Sequence, residues 1–252
     1  MPVFRFLILV FIFTANMTAS HASAVTQIQR SNGGNDFGGT TYPRAFTANV
    51  YAGHIGVVGI MWESSAITVT SVTGSRCTYT LLASTYAANS NVGYSTEFAY
   101  CIFTSSGAET ATAHFSATVD SFVSVYELTA GSLDQVAANS GDSNSPGGTN
   151  TVTTSADGAY GIAILLEHGN GSNGDYTAGA GWVNTGIDLN IGGGASEDAV
   201  ESTTQTSAGS LTGNFVGDGT NQWVASLITF KPPGARNIIQ GYSIISGRSV
   251  IN

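Results

Sequence analysis

Charge is what this chain has least of. Only 9% of its 252 residues are Asp, Glu, Lys or Arg, and the balance is one-sided, 16 acidic against seven basic. Lys231 is the single lysine. So acidic a chain repels phosphate backbones and anionic lipid, which argues against nucleic acid as a partner. Cysteine is nearly absent: Cys77 and Cys101 are the only two, and no C-x-x-C spacing occurs. Zinc-ribbon and thioredoxin-type redox motifs are therefore not supported. The four histidines form neither H-x-H nor H-E-x-x-H, so the local metalloprotease pattern is missing as well. No window of eleven or more residues combines helical periodicity with caps. Long apolar runs are lacking too. The strongest, Phe6–Phe13, has eight residues, against about 20 for a membrane span.

That short run follows Arg5 and leads into a polar stretch ending Ala22-Ser23-Ala24. A basic start, an apolar stretch and an A-x-A site read as a secretory signal peptide over residues 1–24. The expected location is extracellular or at the cell surface, with no transmembrane span. Removing Arg5 with the leader takes the net charge from −9 to −10. The remaining chain suits one large β domain, which buries roughly 70% of its unfolded surface and needs no metal cage to fold. In an oxidising compartment two cysteines are read as a disulfide. Cys77 and Cys101 lie on successive predicted strands whose midpoint is Asn89, inside the loop Ala87–Gly93. An antiparallel pairing centred there sets them opposite one another.

The organising stretch is Gly53–Leu82. Ile55–Trp62 is apolar or small on both parities, as expected of a strand covered on both faces. Ile67–Thr73 begins by alternating, and Val72 then falls on the wrong parity, which predicts a bulge or strand end near Ser71. Further strands are predicted at Tyr94–Phe103, Glu109–Ala117, Phe122–Leu128, Thr151–Ser155, Ala159–Leu166, Trp182–Leu189, Glu197–Ser202, Ser210–Val216 and Gln222–Phe230. Glu109–Ala117 alternates most cleanly, with Ala111, Ala113 and Phe115 inward. Val25–Gln29 reads as an edge strand, and Arg30–Pro43 as a Gly/Asn-rich loop. Many short strands without helices mean an all-β, two-sheet antiparallel β-sandwich, here spanning residues 25–233.

Residues 234–252 form a short C-terminal extension after Pro232-Pro233. It repeats a six-residue pattern, N-I-I-Q-G-Y then S-I-I-S-G-R, and places Ile238, Ile239, Ile244 and Ile245 among polar residues and glycines. A β-prone, apolar, basic segment on an acidic domain can lie along its own sandwich or add a strand to a neighbour, and the expectation favours self-association by the second route.

Several short stretches together resemble a known domain family. They are G-H-I-G-V-V (Gly53–Val58) with Trp62 after it, V-T-S-V-T (Val69–Thr73), T-Y-T (Thr78–Thr80), E-T-A-T-A-H-F (Glu109–Phe115) and V-S-V-Y-E ending at Glu127. Leu133-Asp134, Asn139-Ser140-Gly141, Thr153-Thr154, Glu197-Asp198 and Trp223 complete the set. From Ala45 to Pro232 the chain resembles a largely uncharacterised family of bacterial secreted and surface domains, also found in phage-type structural proteins. The resemblance implies a jelly-roll-like sandwich without catalytic residues. The chain departs from the family pattern at Arg76-Cys77 and at Cys101, which points to a disulfide particular to this protein.

Candidate functional residues are sparse. Glycosidases need two acids at a set gap, yet Glu63, Glu127 and Glu167 lie at or near separate strand ends, and the neighbours Glu197 and Asp198 point to opposite faces. These acids read as solvated strand ends or turn acceptors, and His114 as a surface residue. Tyr42, Tyr86, Tyr94, Tyr176 and Trp182 lie in or beside loops. Tyr176 and Trp182, flanking the Gly-rich stretch His168–Gly181, are the candidate ligand contacts for sugar stacking. No cofactor is expected beyond a candidate Ca2+, with Asn173 and Asp175, or Asp142 and Asn144, as hard oxygen ligands. The expected function is a secreted, non-enzymatic module for adhesion to a glycan or surface protein. The alternative is a structural subunit of a surface or virion-like assembly with the tail as connector, ahead of a carbohydrate-active enzyme.

Overall fold

The computed structural model describes residues 23–33, 36–142, 148–168, 177–185, 196–216 and 222–234. The leader up to residue 22 and the extension from residue 235, with Ile238, Ile239, Ile244 and Ile245, lie outside these. The chain opens with β1 (Gln27–Ser31), β2 (Asp36–Ala45), β3 (Ile55–Trp62) and β4 (Val69–Thr73). A short β5 (Thr80–Leu81), one 3-10 turn (Ala83–Thr85) and β6 (Ala87–Asn89) precede β7 (Tyr94–Ile102) and β8 (Thr110–Leu128). The second half holds β9 (Ser132–Gly141), β10 (Val152–Thr153), β11 (Ala159–His168), β12 (Thr177–Ala178), β13 (Val183–Asn184) and β14 (Ser196–Gln205). It closes with β15 (Ser210–Leu211), β16 (Phe215–Val216) and β17 (Trp223–Lys231).

The strands form an all-β sandwich, as expected. One sheet runs β1-β8-β3-β7-β5, with β2 and β4 also on β8 and β6 on β7, and the other runs β13-β14-β11-β17-β9. The pairings are antiparallel throughout. Between the sheets Val57, Met61, Phe98, Phe122 and Tyr126 meet Ile162, Ile164, Val200, Val224 and Ile228.

Each sheet also buries its second face, which explains why the central strands are apolar on both parities. Beyond the first sheet, Val58, Ile60, Trp62, Val123 and Val125 pack against Tyr42, Val69, Val72 and Phe115. Beyond the second, Ala163, Leu165, Ala225 and Leu227 pack against Val152, Trp182 and Phe215. All eight residues of β3 are accordingly buried.

The first outer layer is made by β8 itself. Its C-terminal half pairs with β1 and β3, and its N-terminal half with β2 and β4. The odd positions Ala111, Ala113, Phe115, Val119, Val123 and Val125 share one cluster, so the strand curls and keeps one parity on the inside. Register shifts in β2 at Asp36/Gly39 and Gly39/Thr41 accommodate the curl, and Gly38 takes φ 61° there. Tyr42 fastens it: its hydroxyl accepts from Gly39 N at 2.7 Å and donates to the Val119 carbonyl.

Several expectations need correcting. Arg30–Pro43 is not a loop, because most of it belongs to β2. Pro43 is tolerated because β2 pairs only with β8 and leaves its other edge unpaired. The predicted strands Glu109–Ala117 and Phe122–Leu128 are one strand, β8, since the polar residues between them mark the curl rather than a turn. β9 was not foreseen. Trp182–Leu189 reduces to Val183–Asn184 within the described residues, and Ser210–Val216 divides into β15 and β16. The expected irregularity near Ser71 is present as a register shift between Val69 and Ser71. Cys77 and Cys101 are joined, with S–S 2.01 Å and Cα atoms 6.1 Å apart. They are not directly opposed, however. Thr80 pairs with Tyr100 and Leu81 with Ala99, a register that sets Tyr79 against Cys101 and leaves Cys77 in the loop before β5. The 3-10 turn is the reason: on its other side Ala87 pairs with Thr96, so no single centre relates the two strands.

Candidate functional site

The carboxylates show how this fold handles its few charges. Glu109, buried, accepts from Ser75 N, Ser75 Oγ and Arg76 N at 2.7–3.1 Å. Glu201, buried in β14, accepts Asn214 N at 2.6 Å and Gly179 N at 3.2 Å. Asp120 takes Gly38 N, Asp134 takes Ser155 N, and Asp157 takes Ala208 N. Each pins a loop amide that has no ladder partner, and an unpaired buried amide would be costly. Burial lifts Glu201 to about 7, although the Asn214 and Gly179 amides pull it down. Burial alone lifts Glu97 to about 7.

Two further polar clusters sit at opposite ends of β3. At its end, Glu63 binds the Ser196 hydroxyl that opens β14. Tyr94, opening β7, stacks on His168, which closes β11, with ring centroids 6.1 Å apart. His168 and Ser196 face each other across the β11–β14 ladder. Burial raises Glu63, with Ser196 lowering it, Asp120 raising it and His168 lowering it. Burial and then the charge of Glu63 push Tyr94 up to about 12. In a nucleophilic triad the serine proton goes to histidine, and the acid stands behind that histidine. Here the serine hydroxyl meets the carboxylate, and the imidazole lies flat on a tyrosine. The arrangement ties the first sheet to the second.

At the start of β3 the order is reversed, and the acid stands behind the histidine. Glu127, 0% exposed, holds His54 Nδ1 at 2.7 Å, Tyr51 N at 2.9 Å and Gln29 Nε2 at 2.6 Å. Gly53 makes the turn between Tyr51 and His54 with φ 83°. The Tyr51 ring, 56% exposed, lies 5.4 Å from that of His54.

Of the residues singled out in the sequence, Trp182 proves buried rather than exposed. It packs in the outer cluster of the second sheet, and its indole Nε1 donates to Thr212 O at 3.0 Å. Tyr42 and Tyr94 are buried and Tyr86 half-buried, so these loop aromatics form no platform. Tyr176, Asn173, Asp175 and Asn144 lie outside the described residues. Asp142 accepts the amides of Asn89 and Asn91, each at 2.8 Å, which hold it below the usual carboxylate range. Among the described residues no group of three or more His, Cys, Asp or Glu could hold a metal ion. Glu127 accepts from a turn amide, as expected, but Glu127, Glu167, Glu197 and Asp198 are buried in the sheets rather than solvated at strand ends, while Trp62 and Trp223 are core. Among the described residues, the strongly exposed large aromatics are Phe37 and Tyr51, neither in the predicted set. For Tyr51 the signal was local: a tyrosine two residues before a turn glycine, in V-Y-A-G-H.

No protein-family model, curated protein or solved structure matches the chain.

Proposed function

We propose that this protein is a secreted, non-enzymatic β-sandwich module that contacts glycans or other surface molecules outside the cell. The supporting observation is the use of its carboxylates. Glu109, Glu127 and Glu201 each accept backbone amides of loops, so these acids act as staples that hold loops in place. Such loops suit recognition better than acid–base chemistry, which needs a carboxylate able to exchange protons with a substrate. The disulfide is compatible with an extracellular location. So is the finding that, among the described residues, no helix is long and apolar enough to cross a membrane.

The test is a glycan array with the mature chain, paired with hydrolysis assays on whatever it binds. Binding without turnover is expected. Cleavage of a bound polysaccharide that disappears in Glu127→Gln would overturn the non-enzymatic reading.

A second reading is a subunit of a surface assembly. It rests on where β17 ends: Pro233 and Gly234 are exposed, in the corner that also holds Ser23 and Ala24. A segment beginning there starts at the surface of the sandwich. Light scattering on the mature chain with and without residues 235–252 tests it. Loss of self-association on deletion supports the assembly role, and a monomer in both forms removes it.

A further inference from the structure

We infer that the Tyr51–His54 corner is a binding site for a neutral saccharide. The inference rests on the glycan-contact reading and gives it a place.

An exposed aromatic ring is ordinarily a mobile one, and ordering it costs affinity. This ring stands on backbone that is already fixed. Val50 N donates to Gly107 O at 2.9 Å, Ala52 N to Ser106 Oγ at 2.9 Å, and Gly53 N to Phe103 O at 2.8 Å. Tyr51 N is held by Glu127, and His54 N by the Tyr51 carbonyl at 3.1 Å. On the facing side Gln29 accepts from Thr47 Oγ1 and Ala48 N while it donates to Glu127. These bonds fix the backbone that carries the Tyr51 ring and the His54 imidazole.

The chemistry of the corner is directional. Glu127 engages His54 Nδ1, which leaves Nε2 without a protein partner among the described residues, on a side chain 25% exposed. Where Nδ1 carries the proton, Nε2 accepts. The Tyr51 hydroxyl likewise has no protein partner among the described residues and can donate or accept. A flat ring flanked by two polar atoms matches a pyranose, which offers an apolar C–H face and a rim of hydroxyls. The net charge of −9 disfavours sulfated, phosphorylated or sialylated sugars, which selects neutral ones. Phe37, 60% exposed on β2, lacks the polar atoms and serves as the internal control.

The experiment is an array of neutral and anionic glycans probed with the mature chain and its Tyr51→Ala and Phe37→Ala variants, with melting curves for each. The expected result is binding to neutral saccharides that falls at least about tenfold in Tyr51→Ala and holds in Phe37→Ala, with both variants melting like the parent. If the parent binds neutral saccharides and Tyr51→Ala binds equally well, the site is elsewhere and the glycan-contact reading survives. If the parent binds only anionic glycans, this site is wrong. If it binds none, both the site and glycan contact fail.

Discussion

The two outer faces of the sandwich present the same problem and solve it differently. The first sheet is covered by its own strand β8, which curls over and brings β2 and β4 with it, so that Trp62 is closed in by Phe115 and Tyr86. The second sheet is covered by two-residue ladders, β10 with β15 and β12 with β16. These are tied down by side chains: Glu201 on Gly179 and Asn214, Trp182 on Thr212, and Thr203 on Gly181. A continuous strand brings its own ladder, to which Tyr42, Asp120 and the disulfide add local ties. Short ladders bury little by themselves and rely on polar staples. Covering a sheet is thus either a matter of chain path or of a few well-placed acceptors.

The sharpest way to break the comparison is to hollow out each layer. Trp62→Ala should cost about 3–5 kcal/mol, because Trp62 is 0% exposed between a sheet and a ribbon that share one strand. Trp182→Ala should cost less, toward the lower end of that range at about 3 kcal/mol, because the short ladders over it can relax into the space. Denaturant titration of both variants decides. Equal losses would mean that the second layer is as firmly built as the first.

Next in size is the disulfide, which lies on the first face only. Its 24-residue separation corresponds to about 3.5 kcal/mol in the chain-entropy estimate. Cys77→Ala with Cys101→Ala should lower the unfolding midpoint accordingly and raise the slope, because the unlinked denatured chain is more expanded. Greater protease sensitivity should appear around residues 74–82 while the second layer stays protected. A uniform loss of protection across both layers would erase the distinction.

The smallest effect is with pH. Glu97 and Glu201 are both lifted to about 7, so the folded state favours their protonated forms. Their contribution is complete below the ordinary carboxylate range near 4.5 and is lost as pH rises through about 7. The melting temperature should therefore fall from roughly pH 5 to roughly pH 8. The two glutamates differ in what ionisation gives back. Glu201 has amide donors to meet its charge, whereas only burial acts on Glu97. Because both end at about 7, Glu97→Gln and Glu201→Gln should flatten the pH dependence by similar amounts, while Glu201→Gln also gives up a charged acceptor for Asn214 N and Gly179 N and lowers the melting temperature across the range. An unchanged pH dependence in both variants would overturn this assignment.

Much of the fold could be read from the residues. Ile55–Trp62 was predicted with its observed ends, because a strand buried on both faces has nowhere to place a polar side chain. The alternation from Glu109 and the bulge near Ser71 follow from parity. β9 escaped because S-L-D-Q-V-A-A-N-S-G is an edge strand whose side chains are mostly half-exposed, leaving little apolar signal. β2 escaped because its glycines and proline, needed for a curling edge, look like a loop. The candidate site was less legible. Trp182 stands beside a glycine-rich stretch, as an exposed aromatic would, yet its burial depends on β15, some thirty residues on.

The sequence by itself determined the all-β class, the two-faced burial of the central strands and the choice of cysteines to pair, since each follows from local parity or from there being only one possible pair. Tertiary structure decided how the outer faces are covered, which loop amides each acid holds, and that Tyr51, His54 and Glu127 meet. The last case shows why. Tyr51 and His54 are neighbours in the chain, but Glu127 lies 73 positions beyond His54. Only the β3–β8 pairing, with Gly56 opposite Glu127, brings that carboxylate beneath the turn.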